Sequence, residues 1–155
     1  MAFTPFSPIT GGPQSGLTSP TYTITAGSPP ANNAKSYFVS TLGGTQTGVL
    51  THSVASPFTV SFWKPAVLKT LQPVNPVTGQ LRAVPTNTYK MIVRKGVVPL
   101  AGQASRIAQV TVSMDVPAGS ETYDWVNLRA MLSCAVGALW EQSSTIGATL
   151  TNGEF

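Results

Sequence analysis

Apolar and polar positions alternate with a period of two through several short stretches, the pattern of strands with one buried and one solvated face. Over 58–64, Phe58, Val60 and Phe62 fall on one side and Thr59, Ser61 and Trp63 on the other, and Pro65 ends the run. Over 88–95, Tyr89, Met91 and Val93 oppose Lys90, Ile92 and Arg94. Over 105–116, Ala108, Val110, Val112 and Met114 oppose Ile107, Gln109, Thr111, Ser113 and Asp115. Pro117, with no N–H to donate to a ladder, marks the end of that strand. Shorter runs predict strands at 21–25, 37–41 and 48–54, the last containing His52, with a short edge strand at 3–9. Turns are expected at Gly11-Gly12-Pro13 and Gly43-Gly44, and a loop over 27–33. The connection 66–87 holds Pro73, Pro76 and Pro85 and is long for a small domain, so part of it is expected to be ordered as a hairpin extension.

The period changes once. After a turn at Ala118-Gly119-Ser120, the residues Trp125, Leu128, Leu132, Ala135 and Leu139 recur at spacings of three and four, widened by Met131 and Val136. This is one amphipathic helix. Ser120, Thr122 and Asp124 are candidate caps, and Glu121 and Asp124 place negative charge at the positive end of its dipole. Ser143-Ser144 and Gly147 interrupt the pattern, leaving 148–155 as a short, mostly polar tail. The expected fold class is α+β: a multi-stranded antiparallel sheet in a meander, then a C-terminal helix. It forms a single domain over 1–155, with a sheet part at 1–117 and a helical part and tail at 118–155. One helix covers little of a wide sheet. Either part of the apolar face stays bare or a second copy of the chain supplies another helix. The second is expected, with Trp125, Leu128, Leu132, Ala135 and Leu139 as the seam.

Composition strengthens that expectation. Charged residues make up only 9% of the chain while 42% are hydrophobic, against about 25% charged in an ordinary soluble domain. Such a chain suits a subunit that buries its faces in an assembly better than a compact monomer. The charges are also segregated. Residues 1–114 contain eight Lys or Arg and no acid; all five acids (Asp115, Glu121, Asp124, Glu141, Glu154) follow, with Arg129 as the one later base. A sheet with only positive charge suits a polyanion on one side. The hairpin loop over 96–102 is unusually apolar, with Val97, Val98 and Leu100 at its tip. A free-standing module has little reason to expose them, whereas an assembling subunit does.

Candidate chemistry is mostly absent. His52 is the single histidine and Cys134 the single cysteine, so neither a zinc cluster nor an intrachain disulfide is expected, and Cys134 reads as a small buried hydrophobe. All five carboxylates sit at or beyond Asp115, which lies at a strand end, while Glu121 and Asp124 lie at a helix start, where their ordinary job is capping; no acid/base pair or nucleophilic triad is supported. No cofactor, metal or small-molecule substrate is expected. The first residues lack the basic and apolar runs of a signal peptide, and no apolar run is long enough to span a membrane, which suggests a protein of a reducing cytoplasm or of something assembled there. What remains is the polar sheet face: Thr59, Ser61 and Trp63, Lys90 and Arg94, Gln109, Thr111 and Ser113. Hydroxyls, amides and bases can bond phosphate, sugar and base edges, and an indole can stack on an unpaired base.

A series of segments then matches a known family. In order they are Asn87-Thr88-Tyr89-Lys90, Val93-Arg94-Lys95-Gly96-Val97 and Pro99-Leu100-Ala101-Gly102-Gln103. The stretch from Val110 to Asp115-Val116-Pro117-Ala118-Gly119 follows, then Asn127-Leu128-Arg129-Ala130, Gly137-Ala138-Leu139 and Ile146-Gly147-Ala148-Thr149. Residues 57–155 resemble the coat proteins of levivirus-type single-stranded RNA bacteriophages; residues 1–56 fit in strand pattern. The resemblance implies an N-terminal hairpin, a multi-stranded sheet and C-terminal helices. It further implies an intertwined homodimer whose sheets join edge to edge while each helix crosses onto the partner. Such dimers would tile an icosahedral shell around single-stranded RNA, in a virion assembled in the bacterial host cytoplasm. An RNA hairpin bound on the sheet would make the protein a translational repressor as well. Carried over by strand position, Thr59, Ser61, Trp63, Gln109 and Thr111 would face RNA, with Lys90 and Arg94 beside them, and Val97, Val98 and Leu100 would meet neighbouring dimers. The rival reading is a cellular RNA-binding module with a β-sheet platform.

Overall fold

Among the described residues, six strands lie in one antiparallel sheet in the order in which they occur along the chain. A computed structural model describes residues 3–153; the expected tail residue Phe155 lies outside them. The strands are β1 (Ile9–Thr10), β2 (Thr18–Gly27), β3 (Ala34–Thr45), β4 (Phe58–Trp63), β5 (Thr86–Val97) and β6 (Arg106–Pro117). Three helices follow: α1 (Ser120–Tyr123), α2 (Trp125–Glu141) and α3 (Ser143–Asn152). No helix among the described residues is long and apolar enough to cross a membrane.

The pairing keeps the two expected faces apart. Val60 pairs with Val93 and Val93 with Val110, while Phe62 pairs with Met91 and Met91 with Val112. Residues directly opposite share a sheet face, so one side carries Tyr37, Val39, Val60, Phe62, Met91, Val93, Val110 and Val112. Phe3 stacks on Phe62 on that side with ring centroids 4.4 Å apart.

Several expected boundaries are corrected. Residues 48–54 form no strand. They cross as a loop in which the His52 N–H bonds the Val39 carbonyl at 2.9 Å and His52 Nδ1 accepts the Phe58 N–H at 3.0 Å. A side-chain acceptor thus takes the place of a ladder partner. The edge strand expected at 3–9 shrinks to Ile9 and Thr10, paired with Tyr22 and Thr21. β2 runs through Pro20, with a register shift between Thr18 and Thr21 that accommodates the missing N–H.

Gly43-Gly44 is not a turn but lies inside β3. Gly44 takes φ 72, and a Cβ there would run into the carbonyl oxygens of Ser19 and Thr18. Gly44→Ala is therefore expected to destabilise the subunit by more than about 1 kcal/mol, because both the backbone region and the space are forbidden to it. Urea denaturation measures this; an unchanged midpoint would contradict it.

The tail beyond 148 is helical rather than irregular. In α3, Ser143 accepts two bonds from Gln14 Nε2, at 2.7 Å to its carbonyl and 2.8 Å to its hydroxyl, and a Cβ on Gly147 would collide with the Gln14 side chain. Gly147 serves close approach to the N-terminal loop and does not break the helix. The expected caps also differ. Gly119, at φ 92, begins α1 and Asp124 begins α2, and neither start has a side-chain capping bond; the Asp124 carboxylate instead accepts from Asn127. Cys134 is exposed, not buried, because α2 itself stands clear of the sheet.

Candidate RNA-binding face and assembly surfaces

The core of the single chain is thin. Among the described residues, the buried apolar ones are Ala34, Val39, Val60 and Ala118. No residue of α2 is buried. Its apolar stripe instead looks across a cavity of about 470 Å³ at the apolar sheet face, with Leu128, Met131, Leu132, Val136 and Leu139 on one wall and Tyr89, Met91, Val112, Met114 and Val116 on the other. Of the expected seam, Leu128, Leu132 and Leu139 line this space. Trp125 and Ala135 do not; Trp125 lies against the Arg129 guanidinium at 4.5 Å. Beside this bare face lies a bare edge. β6 closes the sheet with no strand beyond it among the described residues, and it is 12 residues long. An edge of that length leaves a row of N–H and C=O groups open to another strand.

The opposite face gathers the expected polar residues. Thr59, Arg94 and Gln109 are opposite one another on β4, β5 and β6; so are Ser61, Ile92 and Thr111; so are Trp63, Lys90 and Ser113. These form rows across strands spaced roughly 4.8 Å apart.

Arg94 Nε donates to Gln109 Oε1 at 3.0 Å, and Gln109 Nε2 donates to Thr111 Oγ1 at 2.9 Å, so these groups hold each other in place through neutral partners. Lys90 and Arg94 are exposed. Asp115, the acid on this side, accepts the Thr88 hydroxyl at 2.5 Å. Trp63 borders an open hollow of about 490 Å³ with Asn33, Thr88, Lys90 and Ile92, and its buried Nε1 finds no hydrogen-bond partner among the described residues. Pattern reading missed two members. Ser36 shares a hydroxyl contact of 3.2 Å with the buried Ser61. Phe38 sits opposite Thr59 with the His52 ring 5.3 Å away. The signal available was the parity of Phe38 in the strand expected over 37–41; Ser36 lies before that expected start, within the longer β3.

The hairpin loop after β5 has an anchored base and a free tip. Gly96 N–H bonds the Pro57 carbonyl at 2.7 Å, Ser56 Oγ bonds the Gly96 carbonyl at 3.3 Å and Ser105 Oγ bonds the Ala55 carbonyl. Lys95 Nζ donates to the Leu50 carbonyl at 2.7 Å and lies 4.9 Å from the Phe58 ring centroid; desolvation there lowers its pKa from the ordinary lysine value. Beyond this clamp Val97, Val98 and Leu100 are exposed. Among the described residues no cluster of His, Cys, Asp or Glu could hold a metal.

A fold with one polar basic face, one uncovered apolar face and an open edge defines a subunit rather than a finished globule. Comparison with solved structures gives the same class. The chain is 45% identical to the protein in a virus-like particle of bacteriophage ESE020, with TM-score 0.95 over 99% of this chain and 100% of that one. It is 14% identical to the protein in a virus-like particle of Beihai levi-like virus 32, with TM-score 0.52 over 86% and 88% of the two chains, which speaks to the fold. No family model matches the chain, and no curated protein does. The chain belongs to the levivirus coat-protein family, whose role is structural and not enzymatic. That membership sets aside the cellular RNA-binding module.

Proposed function

We propose that this protein is the shell subunit of an RNA phage, which dimerises, assembles into an icosahedral particle and packages single-stranded RNA against its polar sheet face. The carrying observation is the exposed stripe of α2 facing an uncovered apolar sheet. A second copy completes both: β6 pairs with its counterpart across a twofold axis, and each α2 lies over the partner's sheet. This places the polar faces of both chains on one continuous surface. The mature location is then the virion, assembled in the bacterial host cytoplasm.

RNA held there is bound mainly through phosphates, at Lys90 and Arg94, with Thr59, Gln109 and Thr111 adding bonds to sugar and base. Ser61, expected from its parity to face RNA, is buried with its hydroxyl against Ser36 and supports the face from beneath. A second reading, recognition of an RNA hairpin that represses translation, is favoured by Trp63, whose ring edges a hollow large enough for a base. Filter binding of purified dimers at several salt concentrations tests both. Affinity should fall steeply with salt, and Arg94→Ala should weaken all RNAs alike and reduce the salt slope by about 0.7, one phosphate's worth on a single strand. Trp63→Ala should cost about 1–3 kcal/mol, on hairpins with an exposed loop base above all. Salt-independent binding, or none at low salt, would refute the face as an RNA surface. A missing Trp63 effect alone leaves packaging without hairpin reading through that residue.

A further inference from the structure

The segment 64–85, between β4 and β5, is neither a tight turn nor a loose linker. Its root is pinned by a two-way amide clamp: Lys69 N–H donates to Asn87 Oδ1 at 2.9 Å and Asn87 Nδ2 donates to the Lys69 carbonyl at 3.0 Å. Asn87 is only 4% exposed, so this bond pair is shielded from water. Leu71 packs onto Gly119, where a Cβ would strike its side chain. The tip closes on itself. Asn75 N–H bonds the Gln80 carbonyl at 2.9 Å, Gly79 N–H bonds the Asn75 carbonyl at 2.8 Å, and Asn75 Oδ1 accepts the Val77 N–H at 2.8 Å. Pro65, Pro73, Pro76 and Pro85 stiffen the course between root and tip.

This arm nonetheless presents apolar side chains to solvent: Val67, Leu68, Val74 and Leu81 are exposed, and Val77 at the tip is 90% exposed. An ordered projection that shows aliphatic groups is the form of a contact element. Its charge indicates the partner. The arm holds Lys64, Lys69 and Arg82 and no acid. The acids Glu121, Asp124 and Glu141 all lie in the helical stretch 120–141 of the same chain, against one base, Arg129. One chain thus carries a basic apolar projection and an acidic, apolar helical surface, which are complementary between copies.

We infer that the arm 64–85 is an assembly contact that seats on a second copy of this chain, with aliphatic residues at the tip buried against it and the arm's bases facing the acids of the helical region. The inference rests on the shell-forming reading. Aliphatic side chains give phosphate nothing to bind, so a protein surface, not RNA, is the occupant.

The test is Val77→Asp with Leu81→Asp, expressed beside wild type. Dimers should keep their far-ultraviolet spectrum and mass, while the yield of shells in electron micrographs falls by about ten-fold or more, because each seated tip would bury unpaired carboxylates. Hydroxyl-radical labelling, small enough to enter a shell, should mark Val77 and Leu81 several-fold less in wild-type shells than in wild-type dimers. Shells at wild-type yield, or equal labelling in both states, overturn the arm. So do variants that lose the dimer, which would place the arm in the subunit fold. If Lys69→Glu with Arg82→Glu empties shells of RNA while Val77→Asp with Leu81→Asp assembles normally, RNA is the occupant and the inference fails. Wild type that never forms shells overturns the shell-forming reading and the arm with it; wild-type shells indifferent to the aspartates overturn the arm alone.

Discussion

Leu132→Ala is expected to destabilise the folded protein by about 2–5 kcal/mol, the cost of truncating a leucine in a packed core. In the single chain Leu132 is 45% exposed and faces open space, and there the same change would cost far less. The size of the effect therefore reports whether a second chain fills the cavity. If folding and dimerisation are one event, the urea midpoint of wild type rises with protein concentration, and Leu132→Ala shifts it down at every concentration. Leu128 and Leu139 share that wall and should behave alike, whereas Trp125, outside the cavity and covering Arg129, should show a smaller response. Equilibrium sedimentation supplies the other arm of the test. A wild type that sediments as a stable folded monomer at micromolar concentration removes the basis of the dimer. So would a denaturation midpoint independent of concentration.

The faces of β4, β5 and β6 were legible because each is a clean alternation of period two, and register follows once one side is apolar. That is why Thr59, Ser61, Trp63, Lys90, Arg94, Gln109 and Thr111 share one surface in the folded chain, as their parity implies. The first half of the chain was harder for physical reasons. Pro20 and Gly44 are local signals of a break, yet the sheet absorbs both, one by a register shift and the other by a left-handed residue that only glycine adopts without strain. The run around His52 contains enough apolar residues to pass for a strand. Its backbone is instead satisfied by Val39 and by the imidazole itself.

The helical end shows the reverse error. Ser143, Ser144 and Gly147 are weak helix formers, and propensity alone stops the helix before them. α2 does end at Glu141, but a second helix, α3, starts at Ser143, where Gln14, distant in sequence, donates to both the Ser143 carbonyl and its hydroxyl. No local pattern contains that information. The spacing of Trp125, Leu128, Leu132, Ala135 and Leu139 did identify α2, but at three-four periodicity it could not say which rim of the stripe meets the sheet. Met131 and Val136 line the cavity where Ala135 does not.

Val98→Asp with Leu100→Asp is expected to abolish shells while leaving dimers folded. In the subunit the two side chains are 57% and 68% exposed, so neither supports the fold, and the clamp from Pro57, Ser56 and Ala55 acts on the loop's base rather than its tip. A carboxylate at either position stays solvated in the free dimer. It becomes costly only if the tip is dried against a neighbour, where an unpaired charge is penalised by several kcal/mol. The penalty repeats at every loop around a symmetry axis, so a modest cost per contact becomes a complete block on closure of the shell. Val98→Ser with Leu100→Ser removes the apolar area without adding charge, and should slow assembly or lower particle stability rather than prevent it. Size-exclusion chromatography and negative-stain images of the two variants beside wild type separate these outcomes. Normal particles from the aspartate variant would show that the loop tip remains in water, and would leave the arm at 64–85 to hold dimers together.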